Sequence, residues 1–329
     1  MAERLRWADS LKGCLMLLVV AGHSIQAVLG DETSVSHTWN LIYSFHMPAF
    51  MAVSGWLSYR PGREPVKGGR YVSRRARQLL VPYLLWSLLI LVLRRDVSGQ
   101  SLASIALSPD MFFWFLWALF FICLLFRLTF SVSSRLHVSA TAALAACGVM
   151  LMGMMVVADL HVFGFRYIAY YFLFYVLGYI LHRHPLHIRN HAVIGILAVL
   201  WAVLAWFWNM HELPGWFPAV PYVPVTLLSY AYRGLTATVA IVLLMELAPR
   251  LLGRSDRMIW MGRYSLGIYT AHITFIEMVM MSGAMECLPR QPAVRELLLF
   301  LSALAFSLAA VWLLQRNRTL KALLLGIIS

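Results

Sequence analysis

Apolar positions in this sequence come in long unbroken runs, not in alternation. Stretches such as LLVPYLLWSLLILVL (79–93) and FFWFLWALFFICLLF (112–126) stay apolar on both parities. A strand of a membrane barrel would alternate apolar and polar side chains over about ten residues, and only helices and closed barrels satisfy the backbone inside lipid. The pattern therefore predicts helices. A helix needs about 20 apolar residues to cross the hydrocarbon core. Ten such segments can be placed, at roughly 9–29, 39–59, 78–94, 111–127, 139–158, 166–182, 192–208, 225–246, 264–282 and 294–314. The predicted fold class is an all-α integral membrane protein, a polytopic bundle of about ten transmembrane helices. One membrane domain accounts for residues 1–329, with no internal repeat and no separate soluble domain. The first run follows basic residues as a signal peptide does, but no A-x-A-like site follows it and SIQAVLGDETS continues the helix. It is read as a retained span.

Composition agrees with this reading: 61% of residues are hydrophobic and 12% charged, with a mean hydropathy of +0.75, where soluble domains are about a quarter charged. A formal net charge of +13 raises the question of nucleic acid, which the placement of the charges answers. With the N-terminus inside, 21 of the 27 lysines and arginines fall on the cytoplasmic side, as the positive-inside rule requires. Both termini are thus predicted to be cytoplasmic. The basic excess reports topology and contact with anionic membrane lipid, and no nucleic-acid partner is expected. Cys14, Cys123, Cys147 and Cys287 show no metal or disulfide spacing and are read as buried small apolar residues.

Ionisable side chains within a span are costly, so they are default candidates for function. Four stand out: His23, His46, Arg233 and His272. Lys12 and His23 are eleven residues apart, which brings them to within about 20° of one helical face and separates them by about 16 Å along the axis. Asp9, three residues before Lys12, is within reach of a local ion pair. The second segment runs the opposite way, and His46 enters it at the depth His23 has reached in the first, about 10 Å below the outer boundary. Arg233 enters from the same side and His272 lies mid-span. If these helices are neighbours, a polar cluster forms in the outer half of the bilayer. The alternative is that each imidazole bonds a carbonyl across a helix interface as structural glue. No His/Glu pair within a span has i, i+3 or i+4 ligand spacing, so no metal is expected. His182, His184, His187 and His191 read as a solvated turn beside Pro185.

The stretch RPGREPVKGGRYVSRRARQLLVPY puts seven positive charges and one glutamate at the cytoplasmic entrance of the third segment. Arg74 and Arg77 fall one turn apart on one face, where guanidinium groups can form bidentate bonds to phosphate. Positive-inside anchoring explains the number of these charges but not their placement. The pair Gly68 and Gly69 is no P-loop, because the GK[ST] ending is missing. Residues alone thus describe a helical bundle with a cytoplasmic anion site and a deep polar cluster, which fits either a transporter or a membrane transferase.

Four ordered motifs sharpen the choice. RLRWADSLKGCLMLLVVAGHS (4–24) resembles the opening helix of the membrane-bound acyltransferase family 3, in which a basic residue and a histidine are separated by ten residues, here Lys12 and His23. FHMPAFMAVSGWL (45–57) resembles the family's second helix, SRRARQLLVPY (73–83) its R-x-x-R element as Arg74 and Arg77, and MGRYSLGIYTAH (261–272) its late helix. The resemblance covers the first quarter of the chain and a segment near its end. It implies a membrane O-acyltransferase, similar to the fucose 4-O-acetylase-like O-acetyltransferases of the bacterial cytoplasmic (inner) membrane. Such an enzyme moves an acyl group from cytoplasmic acetyl-CoA, or another acyl-CoA, to a hydroxyl of a sugar or a cell-envelope glycan or glycolipid.

On that reading His23 is the expected general base, since a free imidazole with a pKa of about 6.5 is ready near neutral pH. An acyl-histidine intermediate is the less favoured variant. Lys12, Arg74 and Arg77 would hold the CoA phosphates, and a pantetheine arm of order 15–20 Å covers the rise of about 16 Å from Lys12 to His23. His46, Arg233 and His272 are candidates for acceptor binding, proton relay or oxyanion stabilisation. The rival reading is a proton-coupled transporter or flippase of an envelope saccharide, with His23 and His46 as the relay. It lacks paired discontinuous helices in repeated halves and a membrane-embedded carboxylate cluster. A scaffold subunit would leave the polar residues unexplained. The aromatic residues of WFWNMHELPGWFPAVPYVPV (206–225) read as an interfacial belt.

Overall fold

The computed structural model of the chain describes residues 5–58, 68–158, 162–217 and 222–327. Among these residues the regular elements are helical. They are α1 (Arg6–Leu29), α2 (His37–Tyr43), α3 (His46–Trp56), α4 (Gly68–Arg75), α5 (Val81–Leu93), α6 (Gly99–Leu107), α7 (Trp114–Arg135), α8 (Ala140–Ala158), α9 (Phe165–Arg183), α10 (His191–Trp206), α11 (Tyr222–Leu251), α12 (Asp256–Arg263), α13 (Ser265–Met281), α14 (Pro292–Leu314) and α15 (Arg318–Leu325). Seven helical segments among the described residues are long and apolar enough to cross a membrane: Arg6–Val35, Gly68–Leu93, Trp114–Arg135, Ala140–Val157, Val162–Arg183, Val225–Leu251 and Pro292–Leu314. His191–Trp206 and Ser265–Met281 are apolar but shorter. The basic residues Arg60, Arg63 and Lys67 lie outside the described residues, as do positions 218–221 of the aromatic stretch.

The segment predicted at 39–59 is not one helix. It divides into α2 and α3 at Ser44 and Phe45, where Phe45 leaves the helical region at φ −145° and ψ −24°. Pro48 has no N–H with which to bond the Ser44 carbonyl, so an unbroken helix would lose a bond at this point. The third segment is also irregular. Between α4 and α5 the chain makes a π turn over Ala76–Leu80, closed by the Val81 N–H on the Ala76 carbonyl. Pro82 then leaves the Gln78 carbonyl without its helical donor. The backbone of Gly326, at φ 63°, lies directly against that carbonyl, where any side chain would collide. Trp86 Nε1–H donates to the Leu324 carbonyl at 3.0 Å, so these two contacts seat α15 beneath the turn.

Helix starts follow the local chemistry. The Asn190, Ser255 and Asn317 side chains accept from the first free N–H groups of α10, α12 and α15, the role short polar side chains play at N-caps. The outward faces are apolar: Val149 is 71% exposed, Val157 80% and Ile196 66%. A soluble protein would not leave such faces in water, whereas lipid accepts them.

The chain resolves into two compact units. One comprises residues 1–58, 177–265 and 289–300, and the other 59–176, 266–288 and 301–329. In the first, α1 is the hub, packed on α12, α3, α2 and α11, while α10 packs on α11 and α2. Ile25, Trp39, Ile42, Trp208 and Tyr232 form a buried cluster there. In the second unit α7 packs on α8, on α4 and on the π turn, and α5 packs on α15 and α6.

Candidate active site

The site is built from α1 outward. Lys12 and His23 lie on one uninterrupted helix, so their rise of about 16 Å and shared face hold as geometry. At the lower end Asp9, 3% exposed, accepts an ion pair from Lys12 Nζ at 2.8 Å. A second cation, Arg263 Nε, stands 3.7 Å from the other Asp9 oxygen. The sequence pattern predicts the first pair but not Arg263. Its helix reaches Asp9 because α1 and α12 meet backbone to backbone: Gly13 lies against the Met258 carbonyl and Gly262 against the Asp9 carbonyl, leaving no room for a Cβ at either glycine. Small residues that let helices touch in this way are the usual membrane solution. The Asp9 carboxylate is thus held between Lys12 and Arg263.

Toward the other end of α1, His23 is half-buried and its neighbours Gly22 and Ser24 are buried. Gly22 admits the ring of Tyr43, whose Cε2 would lie 2.8 Å from a Cβ at that position. Tyr43 stacks on Trp39 at 3.9 Å, donates its hydroxyl hydrogen to Gln26 Oε1 at 3.2 Å and meets the edge of the His46 ring at 4.7 Å. His46 is 1% exposed and opens α3 just past the helix break. Its Nδ1 lies 2.7 Å from the Ile42 carbonyl. A carbonyl can only accept, so Nδ1 carries the hydrogen and, in the neutral ring, Nε2 keeps the lone pair. Tyr43 thus bridges from Gly22, the residue before His23, to the His46 ring. The helices that carry these two residues are neighbours, α1 packing on both α2 and α3.

Arg233 belongs to α11, which packs against both α1 and α3. Its guanidinium lies over the Tyr230 ring at 6.0 Å, one residue from Tyr232 of the buried cluster. The other end of α3 is anchored by His182, whose Nδ1–H donates to the Trp56 carbonyl at 2.7 Å while its ring stacks on Trp56 at 4.3 Å. Gly178 makes this contact possible, lying against the Ala52 carbonyl. His182 therefore differs from the solvated-turn reading, whereas His184, His187 and His191 are exposed.

The remaining sequence candidates lie in the second unit. His272 is fully buried, with Nδ1–H directed to the Ile268 carbonyl at 2.8 Å, so it too presents Nε2 as the basic nitrogen. Its ring lies 5.9 Å from that of Tyr269. Arg74 and Arg77 are exposed, and Arg77 Nε reaches the Ser73 carbonyl at 3.5 Å. Arg94 and Glu277 form an ion pair at 2.6 Å that no sequence spacing announces. Of the cysteines only Cys123 is buried. Cys14 and Cys147 are half-buried and Cys287 is exposed, contrary to the expectation for all four. Among the described residues no group of three His, Cys, Asp or Glu is arranged to hold a metal.

Comparison with known proteins places this arrangement in a family. Over 150 residues the chain is 38% identical to the nodulation protein NolL of Mesorhizobium japonicum, and over 149 residues 36% identical to the protein of the same name in Sinorhizobium fredii. Each match covers 42% of this chain and 40% of the relative, so the chain spans less than half the length of these curated relatives. No solved structure matches. The model of the third acyltransferase family, described as an acyltransferase domain, matches residues 5–316, nearly the whole chain and all the helices that carry Lys12, His23, His46, Arg74, Arg77, Arg233 and His272, and the chain therefore belongs to that family of membrane acyltransferases.

Proposed function

We propose that this chain transfers an acyl group, acetyl in the first instance, from an acyl-CoA to a hydroxyl of a sugar or a cell-envelope glycan or glycolipid, in the bacterial cytoplasmic membrane. The observation that supports this most is the packing of α1 on α2 and α3, where the Tyr43 ring reaches from Gly22, next to His23, to the His46 ring, above a lysine on the same face of α1. His23 Nε2 or Nδ1 takes the proton of the acceptor hydroxyl as that oxygen attacks the thioester carbonyl. The C–S bond then breaks, and the thiolate leaves with the proton held on the imidazolium. His46, fixed by Ile42 and Tyr43, orients its partner and offers a second basic nitrogen. Arg233 and His272 are assigned to acceptor binding or to stabilising the oxyanion. The donor phosphates are assigned to Lys12 and to Arg74 and Arg77, guanidinium groups suiting phosphate because they bind it bidentately.

Purified protein incubated with radiolabelled acetyl-CoA and a panel of envelope glycans tests this reading. Label should pass to a glycan with wild-type protein and not with His23→Ala present at equal level in the membrane. Undiminished transfer by His23→Ala overturns the assignment of the base. The double variant Arg74→Ala, Arg77→Ala should chiefly weaken CoA binding, and an unchanged isotherm removes those two residues from the donor site.

A further inference from the structure

An interfacial belt holds its rings at the boundary between lipid and water. Trp206, Phe207 and Trp216 are exposed and fit that description. Trp208 does not. It is 5% exposed and belongs to the buried cluster of Ile25, Trp39, Ile42 and Tyr232. That cluster sits at the end of α1 remote from Lys12, Ile25 and Lys12 being about 20 Å apart along the helix axis. All of these residues belong to the first unit.

The chain is pinned on both sides of Trp208. Before it, the Tyr232 hydroxyl of α11 donates to the Leu204 carbonyl in the last turn of α10 at 2.6 Å. After it, Asn209 Nδ2 donates to the Ser34 carbonyl at 3.1 Å, while Asn209 Oδ1 accepts from the N–H groups of His211 and Glu212. Asn40 Nδ2 of α2 donates to the same Ser34 carbonyl at 2.7 Å. The turn after α10 is thereby joined to α2.

Three polar atoms in this region are left over. Among the described residues the indole N–H groups of Trp201 and Trp208 and the Asn40 Oδ1 are buried with no hydrogen-bond partner. Asn40, itself 5% exposed, cannot turn its oxygen away. A carbonyl only accepts, so Ser34 holds the amide nitrogen and Oδ1 must face elsewhere. Buried indole N–H groups usually find a partner, and a buried polar group without one costs about 1–3 kcal/mol. Phenylalanine at 201 and 208 would supply aromatic packing without either donor, so packing does not account for two tryptophans.

The three atoms also adjoin the histidines. The Trp201 ring stands edge-on to Phe45 at 5.4 Å, and Phe45 precedes His46 at the helix break. Trp39, the residue before Asn40, stacks on Tyr43, whose ring meets that of His46. Two groups that only donate and one oxygen that only accepts, set among aromatic rings, select their occupant. A phosphate dianion offers Asn40 no hydrogen, and an acyl chain offers nothing to any of the three. A sugar hydroxyl both donates and accepts, and the C–H faces of a pyranose lie on aromatic rings.

We propose that Asn40, Trp201 and Trp208 form the acceptor subsite, which takes a neutral saccharide by its hydroxyls at the end of α1 that carries His23. The inference rests on the proposed transfer to a sugar hydroxyl and adds the side chains that hold that sugar. Met210, Leu213 and Phe217, on a segment without regular structure, pack over the cluster, and the sugar enters by displacing them. The glycerol headgroup of phosphatidylglycerol offers the same hydroxyl chemistry, so the test must separate the two sources.

Full-length protein labelled with 15N-tryptophan, in phosphatidylcholine nanodiscs, shows its indole N–H groups by NMR, and Trp201→Phe and Trp208→Phe identify two of them. The probes are the methyl glycosides of hexoses, 6-deoxyhexoses and N-acetylhexosamines. At least one should shift both resonances saturably. Trp208→Phe should weaken that glycoside by about threefold to tenfold, the size of one lost hydrogen bond, with Trp206→Phe within about twofold of wild type. Trp201→Phe should do the same as Trp208→Phe and serves if the latter folds poorly. No shift by any glycoside overturns the subsite, and so does wild-type affinity in both variants, which would leave these groups to ordered water. If phosphatidylglycerol in the nanodisc moves both resonances and no glycoside does, the cluster is a headgroup site and the inference falls. A glycoside that moves the indoles but takes no label from radiolabelled acetyl-CoA upholds the subsite and defeats the reaction. One that is acetylated without moving either indole does the reverse.

Discussion

Gly22 is the point where α1 admits Tyr43, and Gly22→Ala perturbs the site without touching either histidine. A Cβ there would lie 2.8 Å from Tyr43 Cε2 and 3.6 Å from Ile42 Cγ2. Carbon atoms rest at about 3.5–4.0 Å, so the ring must retreat by roughly 1 Å. It has little freedom to do so, being stacked on Trp39 at 3.9 Å, set edge-on to His46 at 4.7 Å and bonded through its hydroxyl to Gln26. Overpacking of this kind costs about 1–3 kcal/mol, and the gain from replacing glycine by alanine in a helix, about 0.5–1 kcal/mol, offsets part of it. A net loss of about 1–2 kcal/mol is expected. Because the retreating ring pushes on His46, activity should fall further than stability, by up to about a hundredfold for a 1 Å misplacement. Gly195 of α10 is the control: no atom lies within 4 Å of a Cβ there, so Gly195→Ala should match or exceed wild-type stability. Thermal unfolding in detergent and steady-state acyl transfer measure both effects. The double variant Gly22→Ala, Tyr43→Leu should recover stability and leave activity low. If Gly22→Ala melts and turns over like Gly195→Ala, the pinned-ring argument is wrong.

Three further outcomes are expected of the same structure. Asp9→Asn should destabilise by about 3 kcal/mol, the bottom of the range for breaking a buried pair because Lys12 and Arg263 keep some access to water; a denaturation midpoint equal to wild type refutes this. A double-mutant cycle on Arg94→Met and Glu277→Gln should return a coupling of about 1 kcal/mol, and a coupling indistinguishable from zero would make the 2.6 Å pair energetically idle. Cys287 is exposed and lies between the predicted ninth and tenth spans. A membrane-impermeant maleimide should therefore label intact cells, with the signal lost in Cys287→Ser. Labelling that appears only after permeabilisation would reverse the predicted orientation.

Much of the fold was legible because lipid makes one demand on every span. An apolar run must satisfy its own backbone, so run length locates helices: α1, α8, α9 and α14 keep close to the predicted runs, whereas α7 continues to Arg135 and α11 to Leu251, beyond the predicted ends at 127 and 246. Spacing within one helix is equally local, so the common face of Lys12 and His23 and the pair of Asp9 with Lys12 needed no tertiary information. What depends on two elements meeting was not readable. The glycines at 13 and 262 are two among 20 in the chain. Nothing in their neighbours says that they face each other and so bring Arg263 to Asp9. Pro48 removes one helical donor from the second span, but only the fold shows the break and the His46 imidazole set on the Ile42 carbonyl. The basic stretch shows the same division. Charge distribution sets topology, so the crowding of arginines at the start of the third span is already written in the order of the residues. That Arg75 and not its neighbours turns inward is settled by a π turn and by a tyrosine ring shared with Arg127. These fix direction, and direction is a property of packing that composition and periodicity do not carry.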